Sequence, residues 1–133
     1  MAWPDAVRLV IAYLTPIVAP VRVVSRLPQD AAPREPLLQV RRVGGPALPP
    51  VRDVARLDVF AWGPDEGEAW DLGLAARGAL WLLPGTTALG VTCYRIEEFM
   101  GPRQQDDPAS QTPRVWATYE LHLRADSAIQ PAA

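Results

Sequence analysis

The hydrophobic pattern near the N-terminus predicts an amphipathic helix. Four apolar residues after Asp5 recur at helical spacing and share one stripe: Val7, Val10, Ile11 and Leu14. Because proline disfavours helical geometry in the residue before it, Thr15 and Pro16 predict the end of this helix. The chain therefore opens with one short helix that has a single apolar face.

Three segments rich in β-branched residues predict three strands after this helix. They cover residues 21–27, 37–43 and 51–62, and proline- or glycine-rich loops at 28–36 and 44–50 separate them. The third strand alternates, with Leu57, Val59 and Ala61 on one side and Arg56, Asp58 and Phe60 on the other.

A second helix is predicted from the Gly63–Glu66 entry to about Leu83, and it has two apolar faces. One arc can lie on a sheet and contains Ala69, Leu72, Ala76, Ala79, Leu80 and Leu83. Trp70, Leu74 and Trp81 form a stripe on nearly the opposite side. Apolar surface left in water costs about 25 cal/mol per Å². We therefore expect a cover on this stripe, and a loop, the first helix and a neighbouring subunit all remain open as that cover.

Two further strands are predicted at residues 89–100 and 115–124, joined by a long polar connection at 101–113. The last strand alternates, with Val115, Ala117, Tyr119, Leu121 and Leu123 on one face. The pattern thus predicts an α+β fold with two layers, a mainly antiparallel sheet, helices on one face and the order α-β-β-β-α-β-β. Residues 1–125 are expected to form a single domain, and residues 126–133 a flexible C-terminal tail.

The charge balance disfavours nucleic acid as a direct binding partner. The 133 residues include 15 acidic and 13 basic side chains, every basic one is arginine, and the net charge is −2. Neutralising phosphates requires an excess of clustered cations, which this sequence lacks. A GC-rich genome is an equally strong explanation for the arginines. The apolar N-terminal stretch is broken by Arg8 and by prolines, so we expect neither a signal peptide nor a membrane span.

No residue pattern predicts catalysis, a cofactor or a metal. His122 is the single histidine and Cys93 the single cysteine, and both fall within predicted strands. We interpret Cys93 as a structural core thiol and His122 as a solvated or interface histidine. Glu97 and Glu98 are adjacent in a strand, so their side chains point to opposite faces. Without a lysine, the chain also lacks a phosphate-binding loop of the Gly-Lys-Ser/Thr kind.

The residues that remain as functional candidates belong to surfaces. Arginine suits ion pairs between subunits because its planar fork binds carboxylates bidentately. Long proline-containing loops without secondary structure are uncommon in compact domains unless they bind something. The predicted subunit interface comprises Trp70, Leu74, Arg77 and Trp81 of the second helix and Arg41, Arg42, Arg56, Asp58, Glu120 and Arg124 on exposed strand faces. The predicted loop contacts are Gly44, Gly45, Pro46 and Leu48 in one loop and Arg103, Gln104, Asp106 and Asp107 in the other.

The order of elements over about residues 5–125 resembles the tail terminator, or tail completion, proteins of long-tailed bacteriophages and of phage-derived gene transfer agents. The motifs that carry the resemblance are the helix from Asp5, the Arg26-Leu27-Pro28 strand exit, Gly44-Gly45 after an arginine-bearing strand, the Val59-Phe60-Ala61-Trp62 run, the alanine-rich helix, Gly101-Pro102, Asp107-Pro108, and Pro113-Arg114 before the last strand.

This resemblance implies a virion protein that forms a hexameric ring at the junction of tail and neck after assembly in the host cytoplasm. Such a ring stops polymerisation of the tail tube and offers the docking surface for the head connector. Its implied partners are further copies of itself, the major tail tube protein and a head-completion or connector protein, while DNA only passes through the lumen. No reaction, cofactor or membrane is implied. Another neck or minor tail component, such as a head-completion or tube protein, and a small enzyme or ligand-binding α+β domain are the alternatives.

Overall fold

A computed structural model describes residues 3–28, 35–48 and 52–125, which form two helices and a seven-stranded sheet. The predicted loop at 28–36 lies mostly outside the described residues, and the predicted tail at 126–133 lies wholly outside them. The elements are α1 (Ala6–Val18), β1 (Arg22–Val24), β2 (Leu37–Gly44), β3 (Ala47–Leu48), β4 (Arg52–Trp62), α2 (Glu66–Trp81), β5 (Thr87–Ala88), β6 (Val91–Gln104) and β7 (Arg114–Ala125). The predicted fold class and element order are confirmed. The structure adds two short strands, β3 and β5, of two residues each, to the five predicted ones.

The sheet is mixed but mostly antiparallel. Its strand order is β1-β2-β4-β7-β6-β5, with β3 paired to β4. Only β1 and β2 pair in parallel among the described strands. The long strands β4 and β7 lie at the centre and pair without interruption from Arg52–Arg124 to Trp62–Arg114. These two strands therefore form the centre of the sheet.

Both helices pack on one face of the sheet, and the core lies between the two layers. The predicted buried arc of α2 and the predicted inward face of β7 are both confirmed, because every member is buried. On the opposite face, which we call the outer face, the side chains include Arg56, Asp58, Phe60, Trp116, Thr118 and Glu120. The alternation of β4 and β7 thus divides the sheet into a core face and an outer face.

Helix α1 continues past the position at which its proline predicts an end. The expected stop at Thr15 and Pro16 is wrong, since the helix runs on to Val18 with Pro16 inside it. A proline within a helix removes one backbone donor. Val18 is buried in the core, so burying its side chain offsets the lost hydrogen bond.

Two of the predicted loops are partly strand. Ala47 and Leu48 form β3 against β4 within the expected loop at 44–50. Strand β6 extends to Gln104, so Arg103 and Gln104 lie in a strand and their placement in a loop is wrong. The pairing of β6 with β7 shifts register twice between Glu98 and Arg103. Such bulges accommodate Gly101 and Pro102, and an edge strand tolerates a proline that donates no ladder hydrogen bond.

Candidate functional site

Arginine side chains on the outer face lie over aromatic rings. The Arg56 guanidinium carbon is 4.0 Å from the ring centroid of Phe99, and that of Arg103 is 4.1 Å from the ring of Trp116. Trp116 in turn stacks on Phe60, with the ring centroids 5.3 Å apart. Cation–π contacts of this kind orient arginine side chains and cover aromatic surface. The outer face is thus an ordered arginine–aromatic layer.

Two polar pairs are buried beneath this layer. Asp58 is only 7% exposed, and the Thr118 hydroxyl donates a hydrogen bond of 2.7 Å to its carboxylate. The indole N–H of Trp62 donates to the Gln39 side-chain oxygen at 3.2 Å. The expectation that Asp58 lies on an exposed strand face is therefore wrong. The hydrogen bond from Thr118 compensates for the loss of water around the carboxylate.

Several of the predicted interface charges find partners within their own chain. Arg56 binds Glu120 through two hydrogen bonds of 2.6 and 3.1 Å. Arg42 forms a bidentate pair of 2.6 and 2.7 Å with Asp53, whose side chain is only 4% exposed. The hydrogen bonds that Arg42 donates to the Asp53 carboxylate raise the pKa of Arg42. The sequence did not predict that Asp53 pairs with Arg42, because this contact depends on how the chain turns back from β2 to β4.

Arg41 and Arg124 differ from these paired arginines. Both side chains are exposed, and neither forms an ion pair with another described residue. Arg124 lies directly opposite Arg52 in the β4–β7 ladder, so two like charges face each other there. Of the predicted interface charges on the strands, Arg41 and Arg124 are the ones that keep an uncommitted guanidinium.

The predicted stripe on α2 is partly open to solvent. Leu74 is 48% exposed and Trp81 is 46% exposed, whereas Trp70 is half-buried and packs against the core. Arg77 lies between Leu74 and Trp81 along the helix and forms a bidentate ion pair of 2.7 and 2.8 Å with Glu98 of β6. This ion pair, which the sequence reasoning missed, links the exposed helical stripe to the β6 strand.

The first predicted contact loop is held tightly on β4. The Val54 N–H donates to the Pro46 carbonyl at 2.9 Å. Gly45 has φ +103°, and a Cβ added there would lie 1.8 Å from the Val54 carbonyl oxygen. Only glycine fits this close approach. Leu48 remains 44% exposed, so its side chain is available for contact with another protein.

The part of the second predicted contact loop that lies beyond β6, residues 105–113, is ordered by Asp107. Its carboxylate accepts hydrogen bonds from the Ser110 backbone at 3.0 Å and from the Ser110 hydroxyl at 2.6 Å. These bonds, chiefly the one from the hydroxyl, lower the pKa of Asp107. Asp106 accepts a hydrogen bond of 2.6 Å from the side chain of Gln104. The loop is therefore preorganised, which lowers the entropic cost of binding through it.

A hollow of about 640 Å³ separates this loop from β2 and β4, and no sequence pattern predicted it. Its chemistry is mixed, with guanidinium groups, carboxylates and aromatic surface side by side. Its lining includes Arg41, Asp58, Phe60, Asp107, Ser110 and Arg114. The carboxylates already accept hydrogen bonds from Thr118 and Ser110, so they are committed to holding the fold.

Cys93 and His122, the candidate nucleophile and base, lie on opposite faces of the sheet. Cys93 is 1% exposed, its thiol donates to the Arg95 carbonyl, and burial raises its pKa to about 11. A reactive cysteine needs a lowered pKa and access to solvent. The interpretation of Cys93 as a core thiol is confirmed. His122 lies between the ring of Tyr94 and the carboxylate of Glu97, 3.8 Å from the latter.

One cluster on the outer face has the donor types of a metal site. Oxygen and nitrogen atoms of Glu97, Glu120 and His122 lie within 4.8 Å of one another. Each carboxylate already has a cationic partner, since Arg95 pairs with Glu97 and Arg56 with Glu120. A metal ion would have to displace or share these arginines. Glu98 points away toward Arg77, as the strand alternation predicts.

The fold and these surfaces define a small α+β protein whose conspicuous exposed features are a helical stripe, an arginine–aromatic sheet face and ordered loops. Neither described helix has the length and apolarity needed to cross a membrane. The sequence matches the family described as phage tail termination protein over residues 2–130. The chain therefore belongs to that family, and it is a structural component of a bacteriophage tail. No curated protein matches the sequence significantly.

Proposed function

We propose that the protein assembles into a homohexameric ring that caps the finished tail tube, stops its polymerisation and provides the docking surface for the head connector. The observation that carries this proposal is the match to the tail termination family across nearly the whole chain. The ring lies at the junction of tail and neck in the virion and forms in the host cytoplasm. It catalyses no reaction and takes no cofactor.

The exposed surfaces divide between the partners of such a ring. Leu74, Trp81 and the uncommitted Arg41 and Arg124 serve contacts between subunits, because their exposed apolar area and free guanidinium groups have no partner among the described residues. The loops at 44–48 and 105–113 contact the tube protein and the connector. Both are pinned by hydrogen bonds, and most of their residues are exposed.

The paired arginines of the sheet support the subunits themselves. Arg42 and Arg56 hold their carboxylate partners within one chain, so they stiffen the sheet that carries the contact surfaces. DNA passes through the lumen without binding, which a chain of net charge −2 permits.

Deleting the gene from its phage and imaging the lysate tests the proposed function. Without a terminator, tail tubes of uncontrolled length and heads without attached tails are expected, and added purified protein should cap tubes and restore joining. Tails of normal length that fail only at head attachment would instead assign the protein to another step at the neck. Normal virions in the deletion lysate would refute both.

A further inference from the structure

Strand β6 has an open edge along most of its length. On the side facing away from β7, β5 pairs only with Val91 and Thr92. Cys93 exchanges backbone hydrogen bonds with the turn at Gly85 and Thr86. From residue 94 to residue 101, no described strand pairs with this side. An unpaired row of N–H and C=O groups is a template for a strand of another chain.

Exposed apolar side chains accompany this open edge. Tyr94 and Met100 are each 42% exposed, and Phe99 is 56% exposed even though Arg56 stacks on its ring. Soluble proteins normally protect long edges with charges or prolines. Here Pro102 protects the far end of the strand, and the charges of Arg95, Glu97 and Glu98 on the stretch before it are neutralised by ion pairs with one another and with Arg77. Residues 94–101, which precede Pro102, expose apolar side chains as protein interfaces do.

The α2 stripe lies on the same side of the molecule as this edge. Arg77 sits on the helix face that carries Leu74 and Trp81, and it reaches Glu98 in β6. The stripe and the open edge therefore form one continuous surface, which we call the β6 side.

The opposite margin of the sheet ends in β1, which is shorter than its sequence predicts. Residues 21–27 have strand character throughout, but only Arg22–Val24 form a ladder, and among the described strands they pair with β2 alone. Arg22 and Arg26 are exposed and form no ion pair with a described residue. A strand-prone segment with exposed cations faces outward here. The β6 side carries the carboxylate of Glu97, which is 42% exposed although it pairs with Arg95, whereas Glu98 is bound to Arg77.

We propose that the β1 segment of one subunit pairs with the open β6 edge of the next subunit around the ring. This inference rests on the proposed ring function. In the ring, each of the two open edges is occupied by a further copy of this chain. A head-to-tail contact between two different surfaces closes into a ring when the rotation permits. The β1 edge and the open part of the β6 edge are then both paired, which removes two exposed edges that favour aggregation. Pairing of β6 with β6 would instead give a twofold dimer and leave β1 open.

Cysteine cross-linking of the assembled protein tests the pairing. Val24→Cys in β1 is combined in turn with Arg95→Cys, Glu97→Cys or Phe99→Cys, all on the outer face. Disulfides form only when the two Cα atoms lie within about 7 Å. Mild oxidation should give, for at least one pair, a reducible ladder of covalent oligomers that ends at the hexamer. Native Cys93 is buried and does not compete.

Matched controls distinguish β1–β6 pairing from other contacts between subunits. Val24→Cys combined with Glu66→Cys should give no ladder, because Glu66 is exposed but lies in α2 and on neither edge of the sheet. Arg22→Cys replaces Val24→Cys if the latter fails to fold. Dimers from Phe99→Cys alone would overturn the head-to-tail pairing in favour of β6–β6 contact. A ring seen by native mass spectrometry without any ladder would overturn the edge pairing and leave the ring function standing. The absence of a ring even on purified tail tubes would overturn both.

Discussion

At the scale of single residues, Gly73 and Gly78 of α2 differ in what surrounds them. A Cβ added at Gly73 would lie 2.9 Å from the Val115 side chain, whereas one added at Gly78 would meet nothing within 4 Å. Alanine favours a helix interior over glycine by about 0.5–1 kcal/mol at either position. Overpacking against the stiff valine costs about 1–3 kcal/mol. We expect Gly78→Ala to raise the free energy of unfolding and Gly73→Ala to lower it, as measured by urea denaturation.

The two variants are controls for each other because they share one helix and one substitution. Equal effects on the free energy of unfolding would show that α2 does not approach β7 as closely as the structure places it.

Cys93 gives a prediction about pH. Burial raises the pKa of its thiol from 9.0 to about 11. Between these values the unfolded chain releases the proton while the folded chain retains it, so ionisation favours the unfolded state. The stability linked to this group is complete below pH 9 and decreases as the pH rises toward 11. Denaturation curves at pH 8 and pH 10.5 should show the decrease.

The Cys93→Ala variant separates the thiol from tyrosines, since burial also raises the pKa of Tyr13 and Tyr119. The variant should lose stability less steeply over the same pH range. An unchanged slope would mean that the thiol is not buried in the folded protein.

At the scale of elements, α2 and β7 could be predicted in detail because their side chains repeat with the period of the structure they form. All six residues of the α2 arc are buried, as are all five inward residues of β7. The end of α1 and the length of β6 could not be predicted. Pro16 and Gly101–Pro102 are local breakers, but core packing at Val18 and pairing with β7 outweigh them.

The exposed stripe of α2 gives a prediction at this scale. Trp81→Glu should leave the fold intact, with a change in the free energy of unfolding below about 1 kcal/mol, because the side chain is half-exposed. It should abolish assembly of the ring and restoration of tail joining. Native mass spectrometry and circular dichroism measure the two effects separately.

Leu80, adjacent in sequence but 1% exposed, is the matched control. Leu80→Ala should lower the free energy of unfolding by about 2–5 kcal/mol. If Trp81→Glu were as destabilising as Leu80→Ala, the stripe would belong to the folding core and not to a contact between subunits.

At the scale of the whole molecule, the charge balance predicts weak contact with DNA. The chain has a net charge of −2, and arginines such as Arg42 and Arg56 are bound to carboxylates, which leaves no net excess of cations to neutralise phosphates. Proteins that bind DNA without sequence preference reach dissociation constants of about 10⁻⁴ to 10⁻⁶ M at physiological salt. We expect no binding in that range by fluorescence anisotropy with duplex DNA. Affinity that rises steeply as salt falls would contradict a lumen that lets DNA slide.

The sequence by itself determined the layers of this protein, because hydrophobic periodicity decides which face of each helix and strand is buried. The order of its elements and local motifs also indicated the phage tail termination family. Only the tertiary structure decided which charges are free, since an arginine meets its carboxylate across strands whose register depends on distant contacts. Arg42 pairs with Asp53 and Arg56 pairs with Glu120, while Arg41 and Arg124 have no such partner among the described residues. The open edge of β6 likewise became visible only once the strand order was known, because pairing is a property of the whole sheet and not of any one strand.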